Sequence, residues 1–440
     1  MKYYSTNGKA PIADLHKAVV KGLAEDRGLY MPEKINKLPK EFFDNIEKMS
    51  FQEIAYTVAS AFFGEDVDPD ALHDIVYDTL QFDCPVVNVK DNIYTLELFH
   101  GPTLAFKDVG ARFMARLLQY FIKQENNHKE VNVLVATSGD TGSAVANGFH
   151  GVDGIHVYVL YPKGKVSPIQ ECQFTTLGKN ITAIEVDGVF DDCQALVKNA
   201  FMDAELNEHM KLTSANSINV ARFLPQAFYY FNAYARMKEI ANTQHLSPNT
   251  QLVMCVPSGN FGNICAALFG HEMGLPIKRF IAANNANDIF YNYLQTGKYE
   301  PKPSKQTLAN AMDVGDPSNF ARIYDLYGKS HAKITSLISG ATYSDEQIKA
   351  TMRECYKDSG YILDPHGACG YQALKDGLQA GEVGVFCETA HPAKFKEKVD
   401  DILGIDVEIP ERLAAFMRGQ KQSVPMSKDF ANFKDYLMRQ

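Results

Sequence analysis

The chain has 440 residues, 45% hydrophobic and 22% charged, with 30 Gly and 19 Pro, the composition of a globular protein of two or three domains. Its 44 basic and 53 acidic residues leave a net charge of −9, which argues against a surface built to track nucleic acid or anionic lipid. Tryptophan is absent beside 27 Phe and 22 Tyr, so an optical signal beyond tyrosine has to come from a bound chromophore.

In chain order, residues Met1–Lys9 carry charge with no apolar run behind it, and no later stretch approaches the roughly 18 apolar residues of a membrane span. A cytoplasmic protein with no membrane partner is expected. Amphipathic runs at 12–23 and 51–63 predict helices in an N-terminal segment. From 131 onward, short β-branched runs alternate with helix-length segments. Strands are expected at 131–136, 155–160, 181–186, 251–256 and 278–283, with helices at 168–177 and 191–206 among them. Strands separated by helices imply parallel sheets with right-handed crossovers, an α/β fold whose ligands gather at the carboxyl ends of the strands. Domain boundaries are expected near 81–85 and 211–216.

The eight cysteines, Cys84, Cys172, Cys193, Cys255, Cys265, Cys355, Cys369 and Cys387, include no C-x-x-C pair, which fits reduced thiols better than zinc ligands or disulfides. His271-Glu272 lacks the second histidine of a zincin helix, because position 275 is Leu. No metal is expected. Dinucleotide and hydrolase patterns also fail. There is no G-x-G-x-x-G or G-x-S-x-G, and Gly328-Lys329-Ser330 has Ile323 where the first P-loop glycine belongs, so it reads as a surface turn.

Two strand-to-helix junctions share one pattern: Thr137-Ser138-Gly139-Asp140-Thr141-Gly142 and Pro257-Ser258-Gly259-Asn260-Phe261-Gly262. Glycines permit positive φ and close backbone approach, and the first N–H groups of a helix lack partners at the positive end of its dipole, so such a loop can cradle an anion. Either loop alone also reads as an ordinary helix cap. Lys107 follows a Gly-Pro turn and Phe106 and precedes an apolar helical pattern. A lysine there ordinarily caps a solvated face; a desolvated one can instead hold a carbonyl cofactor as a Schiff base.

These residues carry a resemblance. Glu97-Leu98-Phe99-His100-Gly101-Pro102-Thr103-Leu104-Ala105-Phe106-Lys107-Asp108 resembles the cofactor-lysine segment of threonine synthases. Further strings match in register: 137–142, Ser214-Ala215-Asn216-Ser217-Ile218-Asn219, 257–262, and Glu388-Thr389-Ala390-His391-Pro392. With the Gly28-Leu29-Tyr30-Met31-Pro32 segment, the likeness covers essentially the whole chain. It implies a pyridoxal 5'-phosphate enzyme of the tryptophan-synthase-β fold type (fold type II), with two parallel-sheet domains, helices on both sheet faces and an N-terminal helical segment. The implied partition is 1–85 as N-terminal segment, 86–110 with 215–440 as the larger cofactor domain, and 111–214 as the smaller substrate domain. The implied reaction is O-phospho-L-homoserine plus water to L-threonine plus phosphate, by a monomer or homodimer.

Carried over by position, Lys107 would bind the cofactor and shuttle protons. Gly259, Asn260, Phe261, Gly262 and Asn263 would hold the cofactor phosphate through backbone amides, and Thr389 would offer its hydroxyl to the pyridine nitrogen. Thr137, Ser138 and Thr141 would hold the substrate carboxylate, while Asn216, Ser217 and Arg222 would grip the leaving phosphate. For Arg222 a helix-surface ion pair is the rival reading. Asp140 stands where many relatives of the wider fold type carry Asn, and its charge disfavours contact with the cofactor oxygen. Asp313 falls in a family-like string with no assignable role. A phospholyase giving 2-oxobutyrate, ammonia and phosphate is the nearest alternative activity, and a non-catalytic binding protein is the alternative from another class.

Overall fold

In a computed structural model, residues 1–125, 129–244, 247 and 249–440 are described, and the chain divides into two compact units. The first contains Met1, Met31–Phe106 and Phe223–Glu408; the second contains Lys2–Tyr30, Lys107–Arg222 and Ile409–Gln440.

The first unit is built on a six-stranded sheet. From edge to edge its strands are Ile338–Thr342, Arg279–Asn284, Gln251–Pro257, Glu382–Glu388, Ile93–Glu97 and Val86–Lys90. All neighbours are parallel except the last pair, so the carboxyl ends of the three middle strands come out side by side. The central strands are buried along almost their whole length, which is why 252–256 reads as an unbroken apolar run with no alternation, although the equally buried Glu382–Glu388 carries a glutamate at each end. Helix Phe51–Phe63 forms as expected: Ser50 caps it, Glu53 closes the capping box, and Ile54, Ala55, Val58, Phe62 and Phe63 fall on one buried stripe.

The second unit is built on a five-stranded, wholly parallel sheet in the order Val424–Ser427, Ile181–Asp187, Ile155–Pro162, Val131–Ala136 and Lys211–Ser214. The single helix expected over 191–206 is two, Phe190–Met202 and Ala204–His209, because Asp203 leaves helical geometry and its side chain caps the second through the Leu206 amide. The N-terminal residues are not purely helical either: Lys2–Ser5 pairs antiparallel with Ala13–Asp14 before helix Leu15–Lys21.

This partition differs from the expected one of 1–85, 86–110 with 215–440, and 111–214. The N-terminal residues are shared between the two units, and Ile409–Gln440 joins the second instead of extending the first. Strand pairing explains the second difference. Val424–Ser427 adds an edge strand to Ile181–Asp187, and Phe433 and Leu437 of the following helix enter the core formed by Leu134, Leu160, Ile184 and Leu196. Lys434 fixes that helix to Asp203 at 2.9 Å.

None of the eight cysteines is in a disulfide; seven are buried and Cys172 is partly exposed. Among the described residues no cluster of metal-ligating side chains occurs, and no helix is long and apolar enough to cross a membrane. The Gly328-Lys329-Ser330 segment is an exposed turn with positive φ at its first two residues.

Candidate functional site

In the first unit, strand Gln251–Pro257 runs into helix Gly262–Glu272 through Ser258, Gly259, Asn260 and Phe261. Phe261 sits in left-handed geometry at φ 64°, a conformation a bulky residue adopts only when its surroundings enforce it; its buried ring packs on Phe290 at 4.5 Å. The turn leaves the backbone N–H groups of Gly259, Asn260, Phe261, Gly262 and Asn263 without an acceptor among the described residues. Successive open amides at a helix N-terminus form an anion nest, and leaving them buried and unsatisfied is costly unless a ligand accepts them. Gly259 cannot carry a side chain, because a Cβ there would lie 2.6 Å from the Ala311 carbonyl oxygen and 2.9 Å from Met312 Cα. The loop therefore fits a phosphate group.

Side chains hold this loop from below. Asn263 accepts from the Ser258 hydroxyl at 2.7 Å and donates to the Pro257 carbonyl at 2.9 Å, so its side chain shapes the turn while its amide stays open. Asn260 is held through its carbonyl by the Asn319 side chain at 3.1 Å and through its Oδ1 by the Ser318 amide at 3.0 Å. Arg322, fully buried, donates to Asn319 at 2.8 Å and stacks 4.0 Å over Phe223. Burial pushes its guanidinium down to about 9, still a cation at neutral pH. Asn319 and Arg322 were not anticipated: an Asn and an Arg some 60 residues downstream of the loop carry no local mark of their role.

Strand Glu382–Glu388, beside Gln251–Pro257, delivers Thr389. Its hydroxyl has no hydrogen-bond partner among the described residues although the residue is 6% exposed, and its carbonyl accepts the Phe106 amide at 2.8 Å. An Ala105–Ala390 bridge and the Leu104 carbonyl, which accepts the His391 amide at 3.0 Å, complete that tie. Leu104 takes φ 59°, so backbone strain is stored three residues before Lys107. Lys107 itself is half-buried and opens helix Lys107–Gln124, the point where the chain enters the second unit.

In the second unit, strands Val131–Ala136 and Lys211–Ser214 lie parallel and adjacent, which brings the 137–142 loop and Asn216 together: Asn216 Nδ2 donates to the Ala136 carbonyl at 3.4 Å. Thr137 accepts the Gly139 amide at 2.9 Å and the Gly142 amide at 2.8 Å, so its hydroxyl closes the loop. Ser138 and Thr141 are half-buried and without partners among the described residues. Asp140 accepts from Gln170 Nε2 at 3.0 Å. Arg222 is 2% exposed, donates to the Ala215 carbonyl and packs against Gly110, so it is not the surface ion pair its rival reading required. Ser217, half-buried, lies on the short segment between Asn216 and Arg222.

Asp313, without a role from sequence, belongs to the first unit. Its carboxylate accepts from Asn285 at 2.9 Å, Asn287 at 3.2 Å, and the Thr307 hydroxyl and amide at 2.7 and 2.9 Å. Burial pushes its pKa up to about 6 against these bonds.

A family model described as "Pyridoxal-phosphate dependent enzyme" matches residues 82–387, "Threonine synthase N terminus" matches 2–80, and "Threonine synthase, C-terminal" matches 367–437. The chain is 43% identical to threonine synthase of Serratia marcescens, with 100% of this chain and 99% of that protein covered. The crystal structure of threonine synthase from Escherichia coli superposes with a TM-score of 0.92 at 43% identity over 100% of both chains. The pyridoxal-phosphate-bound threonine synthase from Brucella melitensis gives 0.91 at 34% identity, covering 100% of this chain and 99% of that one. Matched over 82–387 by the pyridoxal-phosphate enzyme model and at both ends by the two threonine synthase models, the chain belongs to the threonine synthase family of pyridoxal-phosphate dependent enzymes.

Proposed function

We infer that the chain converts O-phospho-L-homoserine and water to L-threonine and phosphate. The observation that carries this reading is the match of both ends, 2–80 and 367–437, to models described for threonine synthase, whereas the model over the middle is described for pyridoxal-phosphate dependent enzymes in general. The five open amides of Gly259, Asn260, Phe261, Gly262 and Asn263 support cofactor binding through its phosphate, and the unpartnered Thr389 hydroxyl supports a hydrogen bond to the pyridine nitrogen.

Bound pyridoxal 5'-phosphate supplies an electron sink for charge developed at the substrate α-carbon. Lys107 would hold the cofactor and, when no longer bonded to it, would take the proton from Cα. Loss of a Cβ proton would accompany departure of phosphate from Cγ; the two protons taken from Cα and Cβ would return to Cγ and Cα, and water would give its hydroxyl to Cβ and its proton to the phosphate. A positioned base of this kind contributes about 10² to 10⁴ in rate. Ser138, Thr141 and the Thr137 loop hold the substrate carboxylate, and Asn216, Ser217 and Arg222 take the leaving phosphate, for which a rigid guanidinium fork is suited. A reducing, cytoplasmic setting is supported by eight cysteines none of which is in a disulfide.

Incubation with O-phospho-L-homoserine tests the reading: threonine and phosphate should appear in equal amounts. Formation of 2-oxobutyrate and ammonia would instead assign the phospholyase activity, and cofactor binding without turnover would assign a binding role. Lys107→Ala should abolish turnover and change the cofactor's absorbance; an unchanged spectrum would remove Lys107 from its role.

A further inference from the structure

A chain of buried polar groups in the first unit has no part in the chemistry above. It starts at the turn Asn310–Met312, whose Ala311 carbonyl and Met312 Cα are the groups that leave Gly259 no room for a side chain. The Ala311 N–H donates to His366 Nε2 at 3.1 Å. Since Nε2 accepts, the ring proton belongs on Nδ1, which donates to Asp364 Oδ2 at 2.5 Å. The other Asp364 oxygen accepts the Gly367 amide at 2.7 Å, capping helix Pro365–Gly377, and the Asp364 amide donates to Glu388 Oε1 at 2.7 Å. Glu388 ends its strand and immediately precedes Thr389.

Asp364 and Glu388 are fully buried and His366 is 1% exposed. Burial and the neighbouring Asp364 push Glu388 well above the usual carboxylate range. Burial opposes ionisation of Asp364 too, but His366 beside it holds its carboxyl below its usual range. One buried anion therefore faces a histidine whose other nitrogen grips a backbone amide. Asp313 fixes the far end of the same turn through Thr307, Asn285 and Asn287. Removing three ionisable groups from water is expensive, and an apolar core would be cheaper. What the polar chain achieves is a link between the strand end that presents Thr389 and the turn that abuts Gly259.

We propose that His366 and Asp364 are positioning residues that set the Asn310–Met312 turn against Gly259 and so hold the Gly259–Asn263 amides at the spacing a phosphate requires. This rests on the assignment of those amides to the cofactor phosphate. The test uses full-length protein stripped of cofactor and titrated separately with pyridoxal 5'-phosphate and with pyridoxal, which lacks the phosphate. His366→Asn, which withdraws the acceptor from Ala311, should weaken pyridoxal 5'-phosphate binding about tenfold, the effect of roughly 1.4 kcal/mol, and leave pyridoxal affinity unchanged. It should also move the phosphorus resonance of the bound cofactor. His366→Gln places an amide oxygen near the lost Nε2 and should restore most of the affinity. Equal weakening for both ligands, or none for either, would overturn the proposal.

Should His366→Asn fail to fold, amide hydrogen exchange on the wild-type chain decides instead. The Ala311 amide should be protected without cofactor, and exchange at an unprotected rate would overturn the proposal. If wild type binds pyridoxal as tightly as pyridoxal 5'-phosphate, the nest assignment falls and the proposal with it. If wild type discriminates and His366→Asn discriminates equally, only the positioning role falls.

Discussion

The loops at 137–142 and 257–262 share a sequence pattern and a place at the carboxyl end of a parallel strand, yet they spend their polar groups differently. The first-unit loop leaves five consecutive amides open, because its internal ties run through the Ser258 and Asn263 side chains and the rest of its support comes from outside, from Asn319, Arg322 and the Ala311 turn. The second-unit loop is tied by its own Thr137, which accepts two of its amides, and by the pairing of Asp140 with Gln170. A loop buttressed from outside can offer every donor to a dianion. One that closes on itself keeps fewer donors, which suits a carboxylate. Sequence pattern sets where an anion can bind, and the supporting contacts set how much charge the loop can accept.

The comparison can be broken at several points. The largest effect is expected for Gly259→Ala. With backbone atoms 2.6 and 2.9 Å from the new Cβ, the nest must shift at a cost of about 3 kcal/mol, read as about hundredfold weaker pyridoxal 5'-phosphate binding. Gly139→Ala should leave cofactor affinity alone and raise the substrate KM about tenfold, because φ 146° disfavours any side chain while the atoms it meets belong to the movable Gln170 side chain. Steady-state kinetics beside a cofactor titration separates the two glycines; a cofactor defect in Gly139→Ala would erase the distinction.

Asp313→Asn removes a carboxylate that accepts four bonds and should lower stability by about 1 to 2 kcal/mol in thermal or denaturant unfolding. It should also change the pH dependence. With a folded pKa of about 6 against about 3.9 when unfolded, Asp313 contributes stability that is complete below about pH 4 and is lost as pH rises through 6. Asp313→Asn should remove that decline, and an unaltered profile between pH 4 and 6 would count against a buried, proton-retaining Asp313. The smallest effect is expected for Asp140→Asn, which still offers an oxygen to Gln170: within about threefold in kcat/KM, or under about 0.7 kcal/mol.

The parallel strands near 131–136, 155–160, 181–186, 251–256 and 278–283 were legible because burial on both faces writes itself as contiguous apolar runs; those at 93–97, 211–214, 338–342 and 382–388 were not, their short runs being broken by polar residues or glycine. Strand Val424–Ser427 was not, since a four-residue strand containing Pro425 breaks that rule and survives only at a sheet edge. Its assignment depends on pairing with Ile181–Asp187, more than 230 residues away in sequence, which no local window contains. At the site, the open-amide loop could be found from neighbours in sequence, whereas Lys107 was singled out only by the family resemblance of its segment. The buttress could not. Asp364-Pro365 reads as a helix start, which it is, and that sufficient local explanation hides the second task of Asp364, holding His366. Asn319 and Arg322 lie in a segment whose pattern says only helix, and their value appears once the chain returns beneath Asn260.

The thiols make the two units separately observable. A cysteine reacts as its thiolate, and burial holds Cys265 and Cys387 in the first unit and Cys193 in the second near 12, so none is a competent nucleophile while its surroundings stay closed. Each buried cysteine is therefore a silent reporter that becomes reactive only when its own unit opens, and the order in which they acquire label under mild denaturation would rank the two halves by their local opening free energies.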